Sequence, residues 1–373
     1  MSGLTFVLLA LIPIASAHDG TETMGITRWH GIGILLLGVL VVAIAVIAKR
    51  TERATPTTAL SGILFGLAIA IFGAVLFEGL SPDPSYAVSS MPFPRVWYKP
   101  LSLGLGLGIA VISFVVGWLR WTTRPRYTFF GILMGIWVAY PELITGQGSE
   151  THPLGYAIVL VTPIFVGYIL WKDAWPVLRT VLVDSVARRF GIGVGALTGL
   201  FFASVSGYIS FLPEAEFPQE VTVVVLPSNY QLVRWSTLEV AIPQIPFFIA
   251  LSMGLVLIVG LLSVLVGLNA AMIARQWRLE QRAGMVEGTA GTGAIVGSCT
   301  CGCCGPLVAK IAILAAGPSI AAPLYWIFVD TASPLSPLFI IVSIVLFTGS
   351  LVYSVENARI PGQRTSISKT TDI

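Results

Sequence analysis

The sequence predicts an all-α, polytopic bundle of about nine transmembrane helices, and both its composition and its long apolar windows indicate this fold. Hydrophobic residues make up 55% of the 373 residues and charged residues 10%, whereas a soluble domain carries roughly 25% charged residues. The mean hydropathy is +0.88. This balance excludes a soluble globule, a disordered chain and a collagen-like fibre. A net charge of +3 is too small to indicate a nucleic-acid partner. We therefore expect a multi-pass protein of the cell (plasma) membrane, embedded in the lipid bilayer.

Nine windows are long enough for a membrane-spanning helix, which needs ~20 residues and at least about 17. They cover residues 31–48, 59–80, 101–119, 127–144, 152–171, 190–212, 246–274, 291–316 and 338–354. None shows the sustained alternation of apolar and polar residues that a transmembrane β-barrel requires. The windows therefore predict helices.

A shorter apolar run precedes these windows. Residues 4–17 end in Ala15-Ser16-Ala17, which is typical of a signal peptide with a small-residue cleavage site. We expect residues 1–17 to be removed, which would make His18 the mature N-terminus. The alternative is an uncleaved, partly embedded anchor.

Basic residues follow the odd-numbered windows and predict the orientation of the chain. They include Lys49, Arg50, Arg53, Arg120, Arg124, Arg126, Lys172, Arg179, Arg188, Arg189, Arg275, Arg278 and Arg282. Because cytoplasmic loops are enriched in Lys and Arg, we expect the N-terminus outside and residues 356–373 as a cytoplasmic tail. The loop at 213–245 would then be external. Its segments Glu220–Val225 and Tyr230–Val240 read as two strands, so a small extracytoplasmic cap is expected.

All four cysteines lie within six residues, at Cys299, Cys301, Cys303 and Cys304, and Gly305-Pro306 follows at once. On an ideal helix Cys299 and Cys303 share one face while Cys301 and Cys304 share nearly the opposite face. Gly302, Gly305 and Pro306 weaken a continuous helix, and a break would let the sulfur atoms converge.

The chemistry of these thiols leaves several interpretations open. Thiolates favour soft ions such as Cu, Hg and Zn, so transient metal binding is one. Cys301 and Cys304 form a C-x-x-C pair, which is typical of dithiol redox exchange. A closed zinc site, S-acylation and inert buried thiols are further alternatives.

Residues 297–353 resemble the vicinal-cysteine helix pair of the mercuric-ion transport proteins. The similar elements are Cys303-Cys304 with Gly305-Pro306-Leu307, Gly317, and the Pro337-Leu-Phe opening of the next apolar helix. The resemblance implies that Cys303 and Cys304 are the primary ion-binding pair. It covers about one-sixth of the chain. Members of that family are much smaller, whereas here seven predicted spans precede the pair and Cys299 and Cys301 are additional.

Other candidate site residues lie elsewhere in the chain. The three histidines, His18, His30 and His152, all lie on the predicted outer side. They could form an outer metal site, since imidazole suits Cu and Zn; the alternative is that they are interfacial polar residues that bind no ligand. Lys310 falls inside an apolar run, where an ionisable residue needs a partner. We expect Asp330 as that partner, with Glu142 as the alternative, and Lys310 would stabilise thiolate charge.

The leading hypothesis is a permease-like component that handles a soft metal ion through the cysteine cluster. It divides the chain into a seven-span region (18–290), a cysteine-motif helix pair (291–355) and the tail, and it implies a metallochaperone as partner. A membrane thiol–disulfide carrier with a thioredoxin-like partner is the second hypothesis, and a non-catalytic subunit or scaffold is the third. The sequence contains no phosphate loop and no nucleophile elbow, so we do not expect coupling to ATP within this chain. We expect transport rather than an enzymatic activity.

Overall fold

The computed structural model describes residues 27–81, 94–144, 149–211, 220–244, 247–283 and 335–370, together with Lys310, Ile311, Leu314, Pro323, Trp326 and Ser333. Within them the chain is mostly helical. The helices are α1 (Arg28–Arg50), α2 (Pro56–Gly79), α3 (Tyr98–Arg120), α4 (Pro125–Leu143), α5 (Pro153–Ile169), α6 (Trp175–Val183), α7 (Ser185–Val205), α8 (Met253–Ala283) and α9 (Ser336–Thr370). A π-helical turn, Leu170–Ala174, joins α5 to α6.

Seven helical segments among the described residues are long and apolar enough to cross a membrane. They are Arg28–Arg50, Pro56–Gly79, Arg95–Arg120, Pro153–Val183, Ser185–Val205, Met253–Leu279 and Ser336–Glu356. This confirms the main feature of the predicted fold and indicates a multi-pass membrane protein. Helix α4 coincides with the predicted window 127–144 but is not one of the seven. Most of the window 291–316 lies outside the described residues.

The bundle has two ends that differ in chemistry. At one of them, which we call the basic end, the Lys49 ammonium lies 4.9 Å from the Trp277 ring centroid and Arg278 pairs with Asp184. At the opposite end, which we call the sheet end, Phe77 of α2 packs with Val205 of α7. Helices α2 and α7 therefore run in the same direction, from the basic end to the sheet end.

A four-stranded antiparallel sheet closes the sheet end. Its strands are β1 (Ile209–Ser210), β2 (Thr222–Tyr230), β3 (Val233–Ile242) and β4 (Phe247–Ser252), in the order β1-β4-β3-β2. Helices α7 and α8 are antiparallel neighbours, and their chains continue directly into the antiparallel pair β1 and β4, with Ile209 opposite Ile249. The predicted strands within 213–245 are confirmed as β2 and β3, and the sheet is an addition to the all-α prediction.

The inner face of the sheet packs on the helix ends. Val233 contacts the start of α5 at Gly155, and the Trp235 indole lies against Gly254 of α8 and edge-on to Tyr156. A Cβ at Gly155 would lie 2.4 Å from the Val233 side chain. Small residues at these positions let the hairpin lie directly on the bundle.

Helix pairs approach so closely that only glycine fits at the contact. In the α1–α2 pair a Cβ at Gly38 would lie 2.3 Å from the Ala70 nitrogen, and in the α3–α4 pair a Cβ at Gly106 would lie 2.5 Å from the Gly135 oxygen. Such contacts are common between membrane-spanning helices. Lipid is as apolar as the helix surfaces, so the hydrophobic effect does not drive their association and close packing stabilises it instead.

Three glycines of α3 provide a matched test of this packing. We expect Gly106→Ala to destabilise the protein by about 1–3 kcal/mol, because the added methyl group meets backbone atoms that cannot move away cheaply. Gly104→Ala and Gly108→Ala are the controls, since nothing lies within 4 Å of a Cβ at either position. Thermal unfolding in detergent, followed by circular dichroism, measures the difference. An equal effect at all three positions would contradict the packing account.

Candidate functional site

The predicted site residues fall into two groups. Cys299, Cys301, Cys303, Cys304, His18 and Asp330 lie outside the described residues, so their predicted roles stay predictions. Lys310, His30, His152 and Glu142 are described, and all four belong to helix termini or segments near the sheet end.

Lys310 lies against the last turn of α2. Its ammonium donates to a Glu78 carboxylate oxygen at 2.8 Å, to the Glu78 carbonyl at 3.0 Å and to the Ser81 carbonyl at 3.2 Å. These acceptors match the three protons of a lysine ammonium. The pair is largely buried, with 9% of the Lys310 side chain and 19% of the Glu78 side chain exposed.

The position of this contact explains its chemistry. The C-terminus of a helix leaves carbonyl groups without intrahelical partners and carries a partial negative charge. Lys310 pairs with the Glu78 carboxylate at this helix end and also donates to the Glu78 carbonyl, which accepts from the Ser81 N–H as well, and to the Ser81 carbonyl beyond the helix. Lys310 is therefore held against the end of α2 at the sheet end.

Glu78 was the partner that sequence reasoning missed. The predicted partner Asp330 lies outside the described residues. The alternative, Glu142, is half-buried near the end of α4 and makes no ion pair with any residue that the structure describes. A signal for Glu78 was present, since it is a carboxylate in the last turn of an apolar helix, but the chain order does not show which helix end Lys310 approaches.

The two described histidines cap helices. The His30 Nδ1 atom accepts a hydrogen bond from the Thr27 backbone N–H at 3.0 Å, and the His152 Nδ1 atom accepts one from the Leu154 N–H at 3.2 Å. In a neutral ring with Nδ1 as acceptor, the proton resides on Nε2. Neither ring is thus prepared to coordinate a metal ion without giving up its cap. Among the described residues no group of three or more His, Cys, Asp or Glu side chains could hold a metal ion.

The basic end contains a second set of paired charges, and the sequence did not predict this pairing. Asp173, in the π-helical turn, is buried and accepts hydrogen bonds from Arg126 Nε at 2.7 Å and from the Tyr127 hydroxyl at 2.8 Å. Arg124 pairs with Glu356 of α9. This hydrogen bond raises the pKa of the Arg124 guanidinium.

These contacts tie α4, the π-helical turn and α9 together at one end. A π-helical turn is rare and often marks a functional position, because its widened backbone redirects a side chain. Here it carries Asp173, which binds the first turn of α4. The basic end is consequently cross-linked by paired charges, and the sheet end is cross-linked by Lys310 and Glu78.

Comparisons with protein-family models, with curated proteins and with solved structures find no match for the chain. The functional argument therefore depends on its own residues.

Removal of one partner of the Lys310–Glu78 pair is expected to be costly. We predict that Glu78→Gln and Lys310→Met each lower the free energy of unfolding by about 2–4 kcal/mol, somewhat below the roughly 3–5 kcal/mol of a fully buried pair. The double variant should lose less than the sum of the two, because no charge is then left buried alone.

The control is an exposed ion pair at the same end. Arg234 and Glu150 lie 2.6 Å apart with side chains 48% and 44% exposed, so Glu150→Gln should cost less than about 1 kcal/mol. Additive effects of Glu78→Gln and Lys310→Met in denaturation of the purified protein would contradict the assigned pairing.

Proposed function

We propose that this protein is a permease-like membrane component that handles a soft metal ion, Cu, Hg or Zn, through Cys299, Cys301, Cys303 and Cys304. The observation that carries the proposal is the buried Lys310–Glu78 pair. It attaches the segment next to the cysteines to a fixed point on the bundle, where a ligand cluster needs a rigid support.

We further propose nine spans, with the cysteines in the eighth. Helix α8 reaches the basic end, where Arg278 pairs with Asp184, while Lys310 contacts Glu78 at the sheet end. Residues 284–309 join these two ends and are long enough for one crossing, which takes about 20 helical residues. Together with α4, this crossing raises the seven spans to nine.

The cysteines would then lie closer to the sheet end than to the basic end. If a helix continues to Lys310, a rise of 1.5 Å per residue would put Cys304 about 9 Å and Cys299 about 16.5 Å from it along the axis. By the rule that cytoplasmic loops are rich in Lys and Arg, the basic end is cytoplasmic and the sheet is an external cap. An ion arriving from outside would reach the Cys303–Cys304 pair first, as the resemblance to mercuric-ion transport proteins implies.

The chemistry of this arrangement suits transient binding. Thiolates bind soft ions, and neighbouring pairs can pass a two-coordinate ion from one to the next. Since Glu78 neutralises Lys310, the lysine supports the cluster mainly as an anchor and only secondarily through its charge. Lipid is the surrounding partner, and a cytoplasmic metallochaperone is the partner expected at the basic end.

Orientation has a direct test. In a cysteine-free protein, single cysteines introduced as Glu52→Cys, Thr123→Cys and Leu279→Cys should not react with an impermeant thiol reagent added to intact cells. Asn229→Cys, on the exposed face of β2, should react and serves as the positive control. Labelling of the first three variants in intact cells would overturn the proposed orientation.

Metal binding is tested by two matched double variants. We expect Cys303→Ser/Cys304→Ser to lower the metal bound per purified protein by about tenfold or more, because a serine oxygen is a poor ligand for a soft ion. Cys299→Ser/Cys301→Ser should have a smaller effect. Equal effects would contradict Cys303 and Cys304 as the primary pair.

The same preparation distinguishes the alternative functions. A wild-type protein without bound metal that forms a Cys301–Cys304 disulfide and exchanges it with thioredoxin would favour the thiol–disulfide carrier. A variant with all four cysteines replaced that grows and binds metal as the wild type does would favour a scaffold.

A further inference from the structure

An apolar groove lies between α3 and α4 at the basic end. Its volume is about 300 Å³, at the lower limit of the roughly 300–1,000 Å³ of small-molecule sites. Aromatic rings line it, namely Phe114, Trp118, Trp121 and Phe129. Its floor is the notch at Gly117, where a Cβ would lie 1.8 Å from the Thr128 hydroxyl oxygen. Because Gly117 has no side chain, the Thr128 side chain can lie directly against α3 and line the groove.

The groove opens on the outside of the bundle. Trp118 is 68% exposed and Phe129 is 62% exposed, and in a membrane-spanning helix such apolar side chains face lipid. From Phe114 to Arg120 the helix rises about 9 Å, so the groove extends from the membrane surface into the hydrocarbon region. Tryptophan rings at such a helix end are typical of the interface between headgroups and water.

A positively charged residue precedes two lining residues of the groove in the chain. Arg120 ends α3, immediately before the lining residues Trp121 and Thr122, and its side chain is exposed. It makes no ion pair or hydrogen bond with any residue in the described part of the chain. Glu356, the carboxylate bound at this turn, is already paired with Arg124. The helix end beside the groove thus carries an arginine whose charge is not balanced by a described carboxylate.

We propose that this groove binds one anionic phospholipid, with an acyl chain along the aromatic rings and its phosphate at Arg120. The apolar lining fits a hydrocarbon chain, and the exposed Thr122 hydroxyl adds a donor beside the guanidinium. Arginine pairs well with phosphate because its planar group presents several donors. Basic pockets between helices at the cytoplasmic side are typical sites for anionic headgroups. The inference does not depend on the role of the cysteines.

Native mass spectrometry of the full-length protein in mild detergent tests the site. Phosphatidylglycerol and phosphatidylcholine with identical chains are titrated against the wild type, Arg120→Gln and Arg53→Gln. We expect the wild type to retain one phosphatidylglycerol at least about tenfold more tightly than phosphatidylcholine. Arg120→Gln should abolish this preference. Arg53→Gln removes another exposed arginine at the same end and should keep it.

A second variant tests the chain-binding part of the groove. Trp118→Ala should weaken the retention of both lipids, because it removes a ring from the lining without changing the charge. Equal affinity of the wild type for the two lipids, or an equal loss in Arg120→Gln and Arg53→Gln, would overturn the proposal. Unchanged retention of both lipids in Trp118→Ala would also overturn it, since lipid would then be held by surface charge alone.

Discussion

The absence of water from the bilayer core is the constraint on which this structure depends. Backbone groups must be satisfied inside each helix, and helices must associate without a hydrophobic drive. The glycine notches between α1 and α2, and between α3 and α4, meet the second requirement by bringing backbones into contact. The requirement that each helix satisfies its own backbone groups explains the position of the strands. Among the described residues, extended chain occurs only at one end of the bundle, where β1 follows α7 and β4 precedes α8.

The same constraint determines where charges lie. An ionisable group near hydrocarbon is tolerated when a partner offsets its desolvation. Lys310 meets Glu78 and two carbonyl groups at the end of α2, and Asp173 meets Arg126 and Tyr127 at the opposite end. These pairs fix both ends of the bundle. For Lys310 the consequence is a fixed attachment to the end of α2.

The sequence predicted the helices because a long apolar run in a chain with few charges has one stable form in lipid. It also predicted β2 and β3, but residues 226–229, which separate the two predicted strands, belong to β2, and the chain turns at Gln231-Leu232, where Gln231 has a φ of 59°. It did not predict β1 and β4, because Phe247–Ser252 is as apolar as the helix that follows and was assigned to the same span. The π-helical turn at Leu170–Ala174 has no sequence signal of its own.

Site residues were harder to predict, since partners at a distance depend on which helix ends meet. Glu78 is a carboxylate in the last turn of an apolar helix, but its contact with Lys310 follows from the packing of α2 against a residue far along the chain. The histidines show that local contacts can also be missed. Thr27 and Pro153 are residues typical of helix starts, but histidine is not among the usual N-cap or N3 residues, so the capping roles of His30 and His152 needed the structure.

X-ray absorption spectroscopy of the purified full-length protein loaded with Cu(I) or Hg(II) tests the central claim most directly, because it identifies the atoms bound to the ion. The account predicts a first shell of sulfur atoms that is lost when Cys303 and Cys304 are both replaced. A shell of nitrogen or oxygen atoms, or a spectrum that is unchanged by this replacement, would contradict it.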